Sequence, residues 1–204
     1  KAMVLDKQPK SMVIVGAGAI GVEFAYYYNA IGTEVTIVEY FDRIVPNEDE
    51  DVSKELARQF KKKGISIMTG SSVEAVDTKG KGCKVTVKTK KGTEELQVDV
   101  VLSAVGVSAN IEHCGLEDVG IKTENGKIKV DDYYNTNVSG YYAIGDVVKG
   151  PALAHVATAE AILCVEKIAG EEVQPLDYNN LPGCTYCSPE IASVGYTEAQ
   201  AKEA

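Results

Sequence analysis

The sequence predicts an α/β protein with three layers built around a parallel sheet. One observation is a short apolar stretch, Met12 to Val15, that runs into closely spaced glycines. Another is a helix-like segment followed by a second apolar, β-branched stretch, Val35 to Val38, which ends in an acidic residue. A strand, a helix and a second strand in this order form a βαβ unit, and such units build parallel sheets covered by helices.

Each glycine of the segment Gly16-Ala-Gly-Ala-Ile-Gly21 has its own task in the predicted turn. Gly16 lets the chain leave the first strand sharply, Gly18 lets a diphosphate approach the backbone, and Gly21 lets the helix sit close to the strand. The free N–H groups around Ala19 and Ile20 open a helix whose dipole favours an anion. The spacing therefore predicts the Rossmann-like turn that holds the pyrophosphate of a dinucleotide.

The first helix carries apolar residues at three- and four-residue steps. These residues are Ile20, Phe24, Tyr27 and Ile31, and we expect them to face the core. Gly32 is expected to end the helix.

Glu39 follows the second strand, at the place where a dinucleotide's adenosine ribose is bound. Its carboxylate can accept hydrogen bonds from both ribose hydroxyls and would repel a 2′-phosphate, so it favours NAD(H) over NADP(H). The residues leave open the alternative of a solvated acid beside a glycine turn.

The chain then continues the α/β pattern and interrupts it once. A second helix is predicted from Asp49 to Lys63, with an apolar face at Val52, Leu56 and Phe60, and Ile65 to Met68 returns as a strand. Three short strands with turns between them predict an inserted antiparallel meander: Val73 to Asp77, Lys84 to Lys90 and Glu94 to Val98. Val100 to Val105 is predicted as the next strand of the parallel sheet.

The later part of the chain has a different pattern. Ile121 to Val130 is predicted as a hairpin around Asn125-Gly126, and Pro151 to Ala169 as a helix. A proline-rich loop follows, and Ile191 to Tyr196 is predicted as a strand of another domain.

Composition excludes several function classes. The net charge of −9 argues against a nucleic-acid partner, and the longest apolar stretch is too short to span a membrane. Five cysteines at irregular spacing indicate reduced thiols in a cytoplasmic compartment, or in the mitochondrial matrix if the source is eukaryotic. The initial Lys1 and a two-turn helix at the end of the chain lead us to expect an excised piece of a longer protein.

Several segments together resemble the disulfide-linked flavoprotein reductases, the pyridine nucleotide-disulfide oxidoreductase family, and within it the dihydrolipoamide dehydrogenases. The matching segments are Val15-Gly-Ala-Gly-Ala-Ile-Gly-Val-Glu-Phe24, Val38-Glu39, Ala104-Val-Gly106, Gly140-Tyr-Tyr-Ala-Ile-Gly-Asp-Val147, Leu153-Ala-His155 and Ser188-Pro-Glu-Ile-Ala-Ser-Val-Gly-Tyr-Thr-Glu198. The resemblance covers essentially the whole chain.

The resemblance implies a domain order. Residues 1–10 would be a linker and residues 11–118 the NAD-binding domain. Residues 119–172 would be the C-terminal segment of the FAD-binding domain, and residues 173–204 the beginning of the dimerisation domain.

The resemblance also implies roles for individual residues. Beside the glycine turn and Glu39, it places Glu23 near the nicotinamide and flavin, with a solvated helix residue as the alternative. It places Val73, Ala104 and Gly106 along the adenine and nicotinamide sides of NAD.

For FAD, the resemblance implies that Asp146 binds the ribityl chain and that Gly145 permits close backbone approach. Leu153, Ala154 and His155 would lie near the flavin, with His155 structural rather than catalytic.

The implied reaction is the oxidation of dihydrolipoamide by NAD⁺ through FAD and a redox disulfide, with a lipoyl domain as substrate and a homodimer as the assembly. No catalytic residue and no metal site is predicted within the chain, because the redox cysteines and the catalytic histidine would lie outside it. Cys184 and Cys187 form a C-x-x-C pair but do not open a helix after a strand, so neither a redox nor a zinc role is expected.

Two alternatives stay open. The chain could belong to a glutathione-, mercury- or thioredoxin-type reductase, or it could be a dinucleotide-binding module without catalysis. The portion alone is expected to bind NAD(H) weakly and to catalyse nothing.

Overall fold

The computed structural model describes residues 2–204, which form two compact units. The first unit runs to Gly106 and includes Pro182–Ala204, and the second is Val107–Leu181. The strands are β1 (Ser11–Val15), β2 (Glu34–Val38), β3 (Ser66–Met68), β4 (Ser72–Asp77), β5 (Cys83–Thr89), β6 (Gly92–Val98), β7 (Val100–Ser103), β8 (Thr123–Glu124), β9 (Lys127–Ile128), β10 (Gly183–Thr185) and β11 (Ile191–Ser193). The α-helices are α1 (Ala19–Ala30), α2 (Glu50–Lys62), α3 (Leu116–Val119), α4 (Ala154–Ile168) and α5 (Glu198–Glu203).

The first unit contains the predicted parallel sheet. Its strand order is β3-β2-β1-β7, and every neighbouring pair is parallel. Alternate residues of β1 face opposite sides of the sheet, so Met12 and Ile14 pack with the helices while Val13 packs with the meander. The α/β fold class predicted from the sequence is confirmed.

The three layers are helices, parallel sheet and meander. Strands β4, β5 and β6 form an antiparallel three-stranded sheet, as predicted. Val85 and Val87 of β5 are fully buried against Val13 and Val38 of the parallel sheet. The strand predicted to reach Val105 ends at Ser103.

Helix α2 matches its prediction within one residue at each end. Its N-cap is Asp49, Leu56 and Phe60 are buried in the core cluster, and Val52 packs partly against it. This helix supplies much of the apolar cover of the sheet.

Helix α1 does not bury the predicted face. Its buried residues are Gly21, Val22, Ala25 and Tyr28. Of the predicted face, Phe24 packs partly buried against the core, whereas Ile20, Tyr27 and Ile31 are each more than 40% exposed. The physical reason lies at Gly21, where an added Cβ would come within 2.0 Å of the carbonyl oxygen of Gly16. The close crossing fixes the rotation of the helix, so Gly21, Val22, Ala25 and Tyr28 face the core and Ile20, Tyr27 and Ile31 face outward.

The last residues of the first unit return to its core. Strands β10 and β11 pair antiparallel, and Cys187 and Ile191 are buried in the cluster that the helices cover. Helix α5 begins with a capping box between Thr197 and Gln200.

The second unit is built around α4. Strands β8 and β9 form the predicted hairpin, with positive φ at Asn125 and Gly126. Helix α4 begins at Ala154, three residues after the predicted start, and buries Val156, Glu160, Leu163 and Cys164. The functional domain boundaries predicted after residues 118 and 172 stay predictions.

Among residues 2–204, no helix has both the length and the apolarity that a membrane span requires.

Candidate functional site

The turn after β1 is closed by backbone contacts that only glycine permits. Gly16 has φ of +97°, and an added Cβ would lie 2.8 Å from the carbonyl oxygen of Ala104. Its N–H donates to the carbonyl oxygen of Val38 at 2.9 Å. Gly16 therefore ties the turn to both neighbouring strands of β1.

The space above Gly18 is open. No atom lies within 4 Å of the position that a Cβ on this residue would occupy, and its φ of −69° is accessible to any residue. Gly18 occupies the N-cap position of α1, and no side chain there accepts a hydrogen bond from the first N–H groups of the helix. The first N–H groups of the helix, at Ala19, Ile20 and Gly21, have no acceptor within the helix. An open cradle lined by such N–H groups suits a diphosphate.

Glu39 is almost completely buried, at 5% exposure, where β2 ends. One carboxylate oxygen accepts the N–H of Ala17 at 2.5 Å, and the other accepts the N–H of Phe41 at 2.8 Å. Each carboxylate oxygen can accept a second hydrogen bond, so acceptor capacity for ribose hydroxyls remains. The carboxylate therefore anchors the glycine turn, a role that the sequence analysis missed.

Val45 binds the carbonyl group of Ala17, the residue whose N–H is bound by Glu39. Its N–H donates to the carbonyl oxygen of Ala17 at 2.8 Å. Val45 is buried and has φ of +41°, a conformation that is rare for a β-branched residue. The strained loop after Glu39 thus helps to hold the turn in place.

The other residues predicted for NAD lie around this turn or along the meander. Glu23 accepts the N–H of Tyr186 at 2.7 Å, and Ala104 donates its N–H to the carbonyl oxygen of Val15. Gly106 has φ of +92° with open space beside it. Val73 packs partly buried in the cluster between the sheet and the meander. Their predicted contacts with the coenzyme stay predictions.

The residues predicted for FAD lie in the second unit, at a 3-10 turn, Gly145–Val147, and at the start of α4. Gly145 has φ of +73°, and Asp146 is exposed. Leu153 is the N-cap of α4, and Ala154 and His155 form its exposed first turn.

A buried acid that the sequence analysis missed supports this turn. Glu160 is 1% exposed and accepts the N–H of Gly145 at 2.5 Å. An acid inside an otherwise apolar helix face is the signal that could have pointed to it.

Cys187 of the C-x-x-C pair lacks the electrostatics of a reactive thiol. All five cysteines are free thiols, with Cys184 exposed and Cys187 buried. Burial and then the nearby Glu23 carboxylate raise the pKa of Cys187 to about 11, whereas a reactive thiol needs a lowered pKa. The described residues contain no group of three or more acidic, histidine or cysteine side chains placed to hold a metal ion.

Known proteins match the whole chain. Residues 1–161 match the family "Pyridine nucleotide-disulphide oxidoreductase". The dihydrolipoyl dehydrogenase of Rhizobium etli is 46% identical over an alignment of 205 residues, which covers 100% of this chain and 43% of the relative. That of Corynebacterium glutamicum is 50% identical over 200 residues, covering 96% of this chain and 42% of the relative.

The fold agrees with this sequence similarity. The crystal structure of LpdA from Mycobacterium tuberculosis matches with a TM-score of 0.89 and 30% identity, covering 98% of this chain and 43% of that protein. The chain thus spans less than half the length of the relatives that it matches. By sequence and by fold, the chain belongs to the pyridine nucleotide-disulphide oxidoreductase family.

Proposed function

We propose that the chain is the NAD(H)-binding portion of a flavin-dependent dihydrolipoamide dehydrogenase. The complete enzyme would oxidise dihydrolipoamide and reduce NAD⁺ through FAD and a redox disulfide outside this chain. One observation carries the proposal: the open space above Gly18 lies at the uncapped N-terminus of α1, and the buried carboxylate of Glu39 lies beside the same turn. Family membership implies the cofactors NAD(H) and FAD.

The residues present fit the coenzyme. The amides of Ala19, Ile20 and Gly21 would bind the diphosphate, and the remaining lone pairs of Glu39 would accept the ribose hydroxyls. A 2′-phosphate would meet a buried carboxylate, which favours NAD(H) over NADP(H). Bound NAD⁺ would supply the hydride acceptor, and the task of this chain is to orient it.

The second unit would contribute part of the FAD site. The exposed carboxylate of Asp146 would accept a ribityl hydroxyl, and Leu153, Ala154 and His155 would border the flavin at the start of α4. The alternative reductases that use NADP are disfavoured by Glu39.

We further propose a homodimer, a lipoyl domain as the protein substrate, and a cytoplasmic or mitochondrial-matrix location. The five free thiols support a reducing compartment. Nucleic acid and membrane are not proposed as partners.

Coenzyme binding can be tested at Gly18 without disturbing the fold. Its ordinary φ and open surroundings should let Gly18→Val fold, while the new side chain fills the diphosphate space. We expect this variant to lose NADH affinity at least about tenfold in calorimetry. Gly80 is also open and has an ordinary φ, so Gly80→Val is the matched control and should bind normally. Equal NADH affinity in both variants would remove the diphosphate assignment.

The enzyme assignment can be tested in a chimera. The segment of the Rhizobium etli dihydrolipoyl dehydrogenase that aligns with this chain would be replaced by this chain. The proposal predicts that the chimera retains flavin and forms NADH from dihydrolipoamide. A folded chimera that binds NADH without flavin or turnover would favour a dinucleotide-binding module without catalysis.

A further inference from the structure

Four polar groups form one connected chain of hydrogen bonds inside the second unit. The N–H of Gly145 donates to one oxygen of Glu160 at 2.5 Å, and the hydroxyl of Tyr178 donates to the other oxygen at 2.6 Å. The hydroxyl of Tyr134 lies 3.1 Å from that of Tyr178. Glu160 is 1% exposed and Tyr134 is 3% exposed, whereas Tyr178 is 37% exposed, so the bond between Glu160 and Gly145 is the one best shielded from water.

The chain of bonds joins segments that are distant in sequence. Tyr134 lies in a turn with φ of +66°, and its carbonyl oxygen accepts the N–H of Ala143, two residues before Gly145. An added Cβ on Gly150 would come within 2.9 Å of the Tyr178 ring, which shows how closely this ring packs on the loop. The loop that contains Gly145 is thus held from several sides, with Glu160 at the centre.

The hydrogen-bond direction at Tyr178 is set by its surroundings. Burial, followed by the hydrogen bond with Glu160, raises the pKa of Tyr178 far above its ordinary value. The hydroxyl therefore stays protonated and donates to Glu160.

We propose that Glu160 is a positioning residue that fixes the Gly145–Asp146 turn by accepting the Gly145 N–H. With this N–H turned inward to α4, the Asp146 side chain is presented at the surface, where the proposed function places the flavin's ribityl chain. The inference rests on that proposed function. What the turn requires from Glu160 is an acceptor for a backbone N–H, and the negative charge is secondary.

This requirement separates two substitutions of similar size. In Glu160→Gln the amide oxygen accepts the Gly145 N–H, and the amide N–H₂ donates to Tyr178, whose hydroxyl turns toward Tyr134. Both tyrosines border a cavity of about 450 Å³, in which water can accept the released Tyr134 hydrogen. Glu160→Ala instead leaves the Gly145 N–H without an acceptor.

Amide hydrogen exchange of the full chain tests the positioning without any flavin. We expect Glu160→Ala to speed exchange at Gly145 about tenfold or more, because the hydrogen bond that protects this N–H is lost. Glu160→Gln should keep Gly145 protected. Tyr178→Phe should also keep it protected, because Glu160 still accepts the Gly145 N–H. The β1 amides serve as an internal reference.

Equal Gly145 exchange in wild type and Glu160→Ala overturns the proposal. So does a loss of protection in Tyr178→Phe as large as in Glu160→Ala, which would indicate general loosening.

Flavin content of the chimera tests the consequence. We expect Glu160→Ala to lower the bound flavin per protein at least about tenfold, and Glu160→Gln to retain it. The matched control is Glu166→Ala, which changes an exposed acid on the same helix. Normal flavin content in Glu160→Ala, with fast Gly145 exchange, overturns the link to flavin. If the unsubstituted chimera lacks flavin, the proposed function fails, and the exchange experiment alone decides the positioning role.

Discussion

The carboxylate of Glu39 accepts the backbone N–H of Ala17 at 2.5 Å, across the 22 residues that separate the two in sequence. Its other oxygen accepts the N–H of Phe41. The residue proposed to select the coenzyme is therefore also part of the structure of the glycine turn, and a change of coenzyme preference at this position affects both roles.

Glu39→Gln should destabilise the protein, although it preserves size and shape. Both donors are backbone N–H groups that cannot reverse, so the glutamine amide must place its own donor against one of them. An unsatisfied buried donor costs about 1–3 kcal/mol of the free energy of unfolding. Urea unfolding would measure the difference. The control is Glu34→Gln at the exposed start of β2, for which little change is expected. Equal stabilities of Glu39→Gln and wild type would show that the contact with Ala17 is unimportant.

Gly21→Ala should destabilise the protein, although alanine has a higher helix propensity than glycine. In an exposed helix interior this change stabilises by about 0.5–1 kcal/mol. Here the new Cβ would lie 2.0 Å from the Gly16 carbonyl oxygen, so the backbone must move. We expect this movement to lower the free energy of unfolding by about 1–3 kcal/mol or more. Gly18→Ala, in open space, should change the melting temperature much less. A Gly21→Ala variant that melts at or above the wild-type temperature would contradict the close helix–strand crossing.

The cysteines should differ in reactivity in a way that sequence spacing does not indicate. Burial and the Glu23 carboxylate raise the pKa of Cys187 to about 11, so at pH 8 only about one thiol in a thousand is ionised. Cys184, three residues earlier, is exposed. Iodoacetamide labelling followed by mass spectrometry should modify Cys184 rapidly and Cys187 slowly, with the rate at Cys187 rising as the pH approaches 11. Equally fast labelling of both residues at pH 8 would show that Cys187 is not buried.

The sequence allowed prediction of those features that depend on local pattern. The order of strands and helices, the meander, the Asn125-Gly126 hairpin and the α2 face follow from residue types at short spacing, and the structure agrees with them. The glycines of the turn were also interpretable, because backbone atoms closely approach Gly16 and Gly21 whereas Gly18 faces open space.

The remaining features depend on contacts between distant residues. Glu160 and Tyr178 are 18 residues apart, and no local pattern indicates that their side chains meet. The anchoring role of Glu39 likewise needs the position of Ala17. Periodicity also failed for α1, because two faces of this helix are apolar and only the close approach at Gly21 decides which one is buried.

This choice of face leads to a further prediction. Val22 is fully buried, whereas Tyr27 is 53% exposed. Val22→Ala should lower the free energy of unfolding by about 2 kcal/mol, because it removes buried apolar volume. Tyr27→Ala removes a much larger side chain, but about half of that side chain already faces solvent, and its contact with Tyr28 is an edge-to-face ring pair worth about 1 kcal/mol. Urea unfolding of the two variants therefore distinguishes the faces. If Tyr27→Ala were the more destabilising change, the helix would be rotated toward the stripe of large apolar residues that the sequence periodicity predicts.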